Sequence, residues 1–177
     1  MSGALSVYSD MRTRRLPLLL LVLAACARGP KESPVAVVES LYSTEMFAPI
    51  RGLPTADQAR HLAPFLGDSL NRLLQRAQAI QDSEARAHPD EKPSWADGDL
   101  FTSLFEGPTS FYALAPARGT PIKVPVRFTR DDNGHRLEWT DSALVARRGD
   151  TWVIEDVLYG GTWGFAPHGS LRAQLSR

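Results

Sequence analysis

The sequence predicts an α+β domain in which helices come first and an antiparallel sheet of about four strands follows. Between residues 34 and 85, apolar residues recur at steps of three and four, which is typical of helices with one buried face. After residue 110 the apolar period changes to two, which is typical of strands with one buried face. Helices followed by strands in this order favour an α+β fold with the helices packed on one face of the sheet.

Capping signals mark where the helices begin. Ser33 suits the N-cap and Pro34 the first helical position, so the first helix should begin there. Thr55 and Gln58 form a capping-box pair, which predicts the start of a second helical segment. A helix is then expected over about residues 64–85 because an apolar stripe runs along it. That stripe consists of Leu62, Leu66, Leu70, Leu73, Ala77 and Ile80.

Residues 88–107 lose the helical period but keep large apolar side chains. The segment is rich in proline, aspartate and glycine, yet it carries Trp95, Phe101 and Leu104. A solvated linker would not contain so many large apolar residues. We therefore expect an ordered loop that packs against the core.

Turn signals separate the expected strands. Asn133-Gly134 is a strong hairpin signal between two alternating runs. Pro125 lies inside the earlier run, and because proline cannot donate to a ladder, it favours an edge position for that strand. A short helix is expected over residues 169–176. The alternating apolar positions of the sheet are Phe111, Ala113, Ile122, Val124, Val126, Phe128, Leu137, Trp139, Ala143, Val145, Trp152, Ile154 and Leu158.

Composition excludes several classes of protein. The chain has 177 residues, of which 43% are hydrophobic and 23% charged, so intrinsic disorder is not expected. Twenty basic and twenty acidic residues give no net charge, which argues against a nucleic-acid binder. A single cysteine excludes a disulfide scaffold and a cysteine-rich zinc site. No sequence motif for a cofactor is present, and none is expected to be bound.

The N-terminus has the pattern of an export signal. Arg12, Arg14 and Arg15 form a basic cluster before the apolar run Leu16–Ala25. That run is shorter than the about 20 residues that a membrane-spanning helix needs. A basic start, a short apolar stretch and small residues before a cleavage site are typical of a secretory signal.

The end of this run, Leu23-Ala24-Ala25-Cys26, resembles the lipobox of bacterial lipoproteins. The resemblance implies cleavage before Cys26, a diacylglycerol on its sulfur and an acyl chain such as palmitate on its new amino group. The alternative is an ordinary signal peptide with an incidental cysteine. With lipidation, residues 1–25 are the signal peptide, 26–34 a lipidated tether and 35–177 a single α+β domain.

The expected cellular location follows from the same resemblance. The lipid on Cys26 would anchor the protein in the bacterial cell envelope, facing the periplasm, because two or more acyl chains hold a soluble domain firmly. Ala27 follows the cysteine instead of aspartate, which by analogy with enteric lipoproteins favours the outer membrane.

Three segments carry a second resemblance. Residues 37–42, the segment Asp97–Phe101 and the segment Gly149–Val157 with its Trp-x-Ile-x-Asp ending are similar to the nuclear transport factor 2-like superfamily. Together with the lipobox they look most like the bacterial family of unknown function numbered 3828. The resemblance covers about residues 35–160 and implies a curved sheet around a concave pocket. Because this fold hosts enzymes and binding modules alike, it does not define a reaction.

Asp156 is the carboxylate of most interest for catalysis. Counting in twos places it on the face of Trp152, Ile154 and Leu158, which would be the concave face. Burial there would raise its pKa and suit it to act as a base. The alternative is a strand-end aspartate that is bonded to a backbone amide or an arginine, and we prefer it.

The other candidates for binding are two aspartates and two tryptophans. Asp97 and Asp99 lie near Glu106 and are either ligands for a hard cation or turn-capping residues, and we favour turn capping because aspartate and glycine build turns. Trp152 would face the pocket, and Trp163 lies among glycines just past the last strand. Trp163 and its neighbour Phe165 are interpreted either as a rim that grips a partner or as lids folded onto the core.

The remaining residue types indicate no metal site. The four histidines, His61, His88, His135 and His168, have no ligand-like spacing and are expected at the surface.

These observations favour a non-catalytic, lipid-anchored envelope protein that binds an envelope partner or a small ligand. One alternative is a small pocket enzyme of isomerase or hydrolase type with Asp156 as its base. Another is an immunity-like protein that neutralises a toxin.

Overall fold

The computed structural model describes residues 33–177. The predicted signal peptide, the lipidation site at Cys26 and most of the tether therefore lie outside the described residues. The elements, in chain order, are α1 Pro34–Phe47, α2 Ala56–Leu62, a 3-10 turn Ala63–Phe65, α3 Asp68–Ala87, β1 Ser110–Ala113, β2 Ile122–Asp132, β3 His135–Arg148, β4 Thr151–Leu158 and α4 Leu171–Leu175. This order confirms the predicted α+β architecture with four antiparallel strands.

The helices begin at the residues that the capping signals indicate. The Ser33 hydroxyl accepts a hydrogen bond from the amide of Ala36 at 3.0 Å, and Pro34 is the first helical residue of α1. Thr55 and Gln58 form both bonds of the capping box at α2. α3 begins at Asp68, four residues later than predicted, because Pro64 lies in the 3-10 turn and Gly67 is the N-cap.

The sheet is a simple meander in the order β1-β2-β3-β4. Asn133 and Gly134 form the two-residue loop between β2 and β3, with φ values of 50° and 85°. Positive φ at both positions is what a type I′ turn requires, and Asn-Gly supplies it at little cost. The hairpin prediction is therefore confirmed.

The expected edge position of Pro125 is wrong, because β2 lies between β1 and β3. β1 ends at Ala113, which pairs with Val126, so Pro125 lies just beyond the paired residues of β1. The carbonyl of Pro125 points to that side, where it accepts a bond from the Leu114 amide at 2.8 Å. A residue's amide and carbonyl project to the same side of a strand, so the missing N–H removes no bond to β3.

The outer edge of β4 is covered by two short contacts. The amide of Gly67 donates to the carbonyl of Ile154 at 2.8 Å, which joins the start of α3 to the edge. Further along, Leu158 and Ser170 form an antiparallel bridge just before α4. Covered edges do not offer free backbone groups to other chains.

The segment 88–107 packs on the core as predicted. Phe101 and Leu104 are buried, and Trp95 donates from its indole nitrogen to the carbonyl of Gln174. The Tyr42 hydroxyl of α1 donates to the carbonyl of Phe101 at 3.0 Å. The loop is thus fixed both to the first helix and to the last one.

Within residues 33–177, none of the helices is long and apolar enough to cross a membrane.

Candidate functional site

A β-bulge in β4 decides where Asp156 lies. Ile154 pairs with Val145 and Asp156 pairs with Leu144, so Glu155 is one extra residue on β4. Val145 and Leu144 are neighbours on a regular strand and face opposite sides of the sheet. Asp156 therefore faces away from Trp152 and Ile154, and the face obtained by counting in twos is wrong.

The hydrogen bonds of Asp156 are those expected of a strand-end aspartate that is bonded to backbone amides. Its Oδ1 accepts from the backbone amides of Val157 at 2.8 Å and of Arg172 at 3.0 Å. Arg172 is in the first turn of α4, so Asp156 ties the end of β4 to that helix. A carboxylate held in this way has a structural role, because it accepts from an amide that α4 leaves unpaired at its start.

The two loop aspartates that the sequence singled out, Asp97 and Asp99, lie in different surroundings. Asp97 is half exposed and forms an ion pair with Lys92 at 2.6 Å. Asp99 is only 8% exposed, and its Oδ1 accepts from the amides of Phe101 at 2.7 Å and Thr102 at 3.2 Å. The turn-capping interpretation is confirmed for Asp99.

The described part of the chain contains no group of three or more metal-ligating side chains. All four histidines are exposed, as expected.

Trp152 and Trp163 occupy different surroundings. Trp152 is half-buried on β4, with the Arg147 guanidinium 6.0 Å from the centre of its ring. Trp163 packs edge-on against Trp139 with 5.8 Å between ring centres. Phe165 continues this row at 6.3 Å from Trp163 but is 80% exposed. Trp163 therefore folds onto the core, while Phe165 remains at the surface.

Two buried carboxyl groups were not found by sequence reasoning, and the first is Asp141 on β3. It accepts from the Ser103 amide at 2.8 Å and the Ser103 hydroxyl at 2.5 Å. The Gly160 amide and the Trp139 indole also donate to it, at 2.8 and 3.1 Å. Gly160 must be glycine, since a Cβ there would collide with the Thr140 carbonyl. Burial raises the pKa of Asp141, while these four bonds lower it.

The second is Glu45 on α1, which is 4% exposed. Arg51 and a backbone hydrogen bond from Ile50 favour its ionised form. Burial, followed by the nearby Asp99, raises the pKa of Glu45 from 4.5 to about 8. Burial also raises the pKa of Asp99 from 3.8 to about 6, against its hydrogen bonds to Phe101 and Thr102. Burial therefore favours the protonated form of both groups.

A small pocket of about 70 Å³ adjoins Glu45. Arg51 and Arg130 line it, and both are held by backbone carbonyls. Arg51 donates to Phe105 at 3.2 Å, and Arg130 donates to Glu106 and Gly107 at 3.0 and 3.1 Å. Glu45 is thus close to a polar opening that Arg51, Arg130 and Glu106 also line.

A sequence signal existed for each missed residue. Asp141 shares the period-two face of Trp139 and Ala143, so counting in twos from the apolar positions identifies it as inward-facing. Glu45 follows Val38, Leu41 and Tyr42 at helical spacing, so it lies on the buried face of α1. The burial of Asp99 could not be read in this way, because Asp99 lies in an irregular loop.

Comparison with known proteins gives one informative similarity. The chain is 27% identical over 176 residues to the uncharacterized lipoprotein YbjP of Escherichia coli (strain K12). The alignment covers 93% of this chain and 98% of that protein. No protein-family profile and no solved structure matches the chain. The similarity supports a bacterial lipoprotein and thus a place in the cell envelope.

Proposed function

We propose that this protein is a lipid-anchored component of the bacterial cell envelope, with diacylglycerol and an acyl chain such as palmitate on Cys26. The observation that carries this proposal is the lone cysteine at the end of Leu23-Ala24-Ala25-Cys26. The similarity to a lipoprotein along nearly the whole chain supports it independently. Two or more acyl chains on one residue suffice for stable anchoring, whereas a single chain does not.

The finer parts of the proposal concern boundaries and orientation. Residues 1–25 would be removed as the signal peptide, and residues 26–34 would join the lipid to a domain over 35–177. The meander and preceding helices are compatible with a nuclear transport factor 2-like cone and with the family numbered 3828. The domain would face the periplasm, with the outer membrane favoured by Ala27.

The role we propose for the domain is binding rather than catalysis. Asp156 and Asp141 are engaged with backbone amides, and such bonds leave little capacity to act as a base on a substrate. Phe165 is exposed next to Trp163, and exposed aromatic side chains with a rigid neighbour are typical anchors for a partner. The rim formed by Trp163 and Phe165 is therefore the surface that we assign to an envelope partner or small ligand.

Crosslinking in intact cells tests membrane anchoring and partner binding together. A photo-reactive residue at position 165 should capture one dominant partner, identified by mass spectrometry. The same probe at position 112 is a matched control, because Tyr112 is also an exposed aromatic residue, at 67% exposure. Cys26→Ser in the position-165 probe chain should move the protein out of the membrane fraction and abolish the capture.

The outcomes separate the alternatives. A Cys26→Ser chain that stays in the membrane fraction contradicts lipid anchoring through Cys26. Equal capture from positions 165 and 112 contradicts the assigned rim. A toxin as the captured partner would indicate the immunity-like role instead of an accessory role.

A further inference from the structure

Helix α1 has a defined direction across the sheet. In its last turn, Glu45 lines the same small pocket as Arg130, which lies near the end of β2. About one turn earlier, the ring of Tyr42 packs against that of Phe128 with 4.9 Å between ring centres. The N-terminus of α1 at Ser33 therefore points the other way, toward the start of β2 and the turn that joins β3 to β4.

The proposed lipid anchor joins the domain at this N-terminus. Residues 26–32 separate the lipidation site from the first helix, and seven peptide steps reach at most about 25 Å when fully extended. The sheet is longer than this reach, because the 14 residues of β3 span about 45 Å. A tether of this length therefore favours contact between the membrane and the end of the sheet toward which Ser33 points.

That end of the sheet carries a cluster of basic side chains. Arg147 and Arg148 come directly before the turn to β4. Lys123 lies at the start of β2, and the bridge between Ala117 and Lys123 brings Arg118 to the same place. All four basic side chains are exposed. We call the cluster of Arg118, Lys123, Arg147 and Arg148 the basic end.

Ion pairs neutralise only part of the basic end. Arg148 pairs with Glu155 at 2.6 Å, and the Arg147 guanidinium lies 3.7 Å from the carboxylate of Asp150. Within residues 33–177, the other two members of the cluster form no ion pair. The basic end therefore keeps an excess of positive charge.

The opposite end of the sheet has the reverse charge. In the hairpin between β2 and β3, acidic side chains outnumber basic ones. They are Asp131, Asp132 and Glu138 against Arg130 and Arg136. Trp163 of the rim packs on Trp139, and Trp139 pairs with a residue of β2 close to this hairpin. The rim formed by Trp163 and Phe165 therefore lies toward the hairpin and away from the basic end.

We propose that the basic end lies on the anionic headgroups of the membrane that carries the anchor, so that the rim points away from the bilayer. Each lysine or arginine near an anionic surface strengthens binding by about fivefold. Trp152, half-buried beside Arg147, adds an aromatic ring of the kind that favours the membrane–water interface. The proposal rests on lipid anchoring through Cys26 and specifies the orientation that anchoring alone leaves open.

Quenching by lipid headgroups tests this orientation on the full lipidated protein in vesicles. Asp150→Cys and Asp132→Cys each place one free thiol at an exposed site, one at each end of the sheet, with the same change in charge. A fluorophore on that thiol is exposed to spin-labelled headgroups in vesicles of phosphatidylglycerol and phosphatidylcholine in equal parts. Quenching at position 150 should exceed that at position 132 by about threefold or more. The difference should shrink in phosphatidylcholine alone and at about 1 M salt, where screening is strong.

Removal of charge tests whether the basic end sets the orientation. Arg118→Gln combined with Lys123→Gln should lower the quenching at position 150 toward that at position 132. Arg76→Gln combined with Arg86→Gln, on α3, removes the same charge elsewhere and should leave the quenching unchanged. All four side chains are exposed, so both double variants should fold.

The outcomes separate the orientation from the anchor. Equal quenching at positions 150 and 132, or a difference that ignores salt and anionic lipid, would overturn the proposed orientation, as would equal losses in the two double variants. Flotation with phosphatidylcholine vesicles checks the lipid anchor by itself. A chain that does not float contradicts the anchoring and this inference with it. A chain that floats without a difference in quenching contradicts the orientation alone.

Discussion

Asp141 on β3 and Glu45 on α1 are buried to a similar extent, at 0% and 4% exposure. Asp141 receives four hydrogen bonds from Ser103, Trp139 and Gly160, whereas Glu45 Oε2 receives none from the described residues. Burial penalises the charge in both cases, but more donors reach Asp141 to stabilise an anion. The comparison indicates that Asp141 fixes the fold while Glu45 responds to pH.

The largest effect is expected from Asp141→Ala, which would leave the donors of Ser103, Trp139 and Gly160 without an acceptor. Each unsatisfied buried donor costs about 1–3 kcal/mol, so we expect a loss of about 4 kcal/mol in the free energy of unfolding. Urea denaturation at pH 7 measures it. Asp150→Ala, at a fully exposed side chain, is the control and should change stability by about 0.5 kcal/mol at most. A loss below about 1 kcal/mol in the free energy of unfolding for Asp141→Ala would contradict the structural role assigned to Asp141.

A pH-dependent effect is expected at Glu45. Its pKa rises from 4.5 to about 8 on folding, so folding takes up a proton between these values. The stability that Glu45 contributes is therefore greatest at low pH and is lost as the pH rises through this window. Between pH 5 and 8.5 the unmodified domain should lose roughly 2–5 kcal/mol more than Glu45→Gln does. Urea denaturation at the two pH values measures the difference, and parallel losses in both chains would show that Glu45 does not titrate there.

A smaller effect, independent of pH, is expected from Tyr42→Phe. The change removes the hydroxyl that donates to the buried Phe101 carbonyl, which should cost about 1–2 kcal/mol. Thermal or urea unfolding at pH 5 and pH 8 should give the same loss, in contrast to Glu45→Gln. Tyr112→Phe, on an exposed tyrosine, is the matched control. A loss that grows with pH would mean that the Tyr42–Phe101 bond is not independent of the titration of Glu45.

The smallest effect on stability is expected from Phe165→Ala. The side chain is exposed beyond Trp163, so its removal should change the free energy of unfolding by about 0.5 kcal/mol or less. Capture of a partner by crosslinking should nevertheless be lost. Unchanged capture in a folded Phe165→Ala chain would contradict the assignment of the rim formed by Trp163 and Phe165 as the partner-binding surface.

Local signals predicted the elements of the fold. Ser33, the Thr55–Gln58 capping box and Asn133-Gly134 each act through backbone groups within a few residues, so they can be read from sequence. The bulge at Glu155 has no such signal, because it depends on how β4 pairs with β3. One extra residue was enough to move Asp156 to the other face.

The site was less predictable because its members are brought together by tertiary packing. Glu45 and Asp141 lie on faces that periodicity identifies as buried, but periodicity does not identify which groups bond to a buried carboxyl group. The burial of Asp99 depends on the path of an irregular loop, which no pattern encodes.

The central claim, lipid anchoring through Cys26, is tested most directly by mass spectrometry of the N-terminal peptide from membrane-extracted protein. We expect the mature chain to begin at Cys26 and to carry the mass of a diacylglyceryl group, with an acyl chain on its amino group. A mature chain that begins elsewhere, or an unmodified Cys26, would contradict the account.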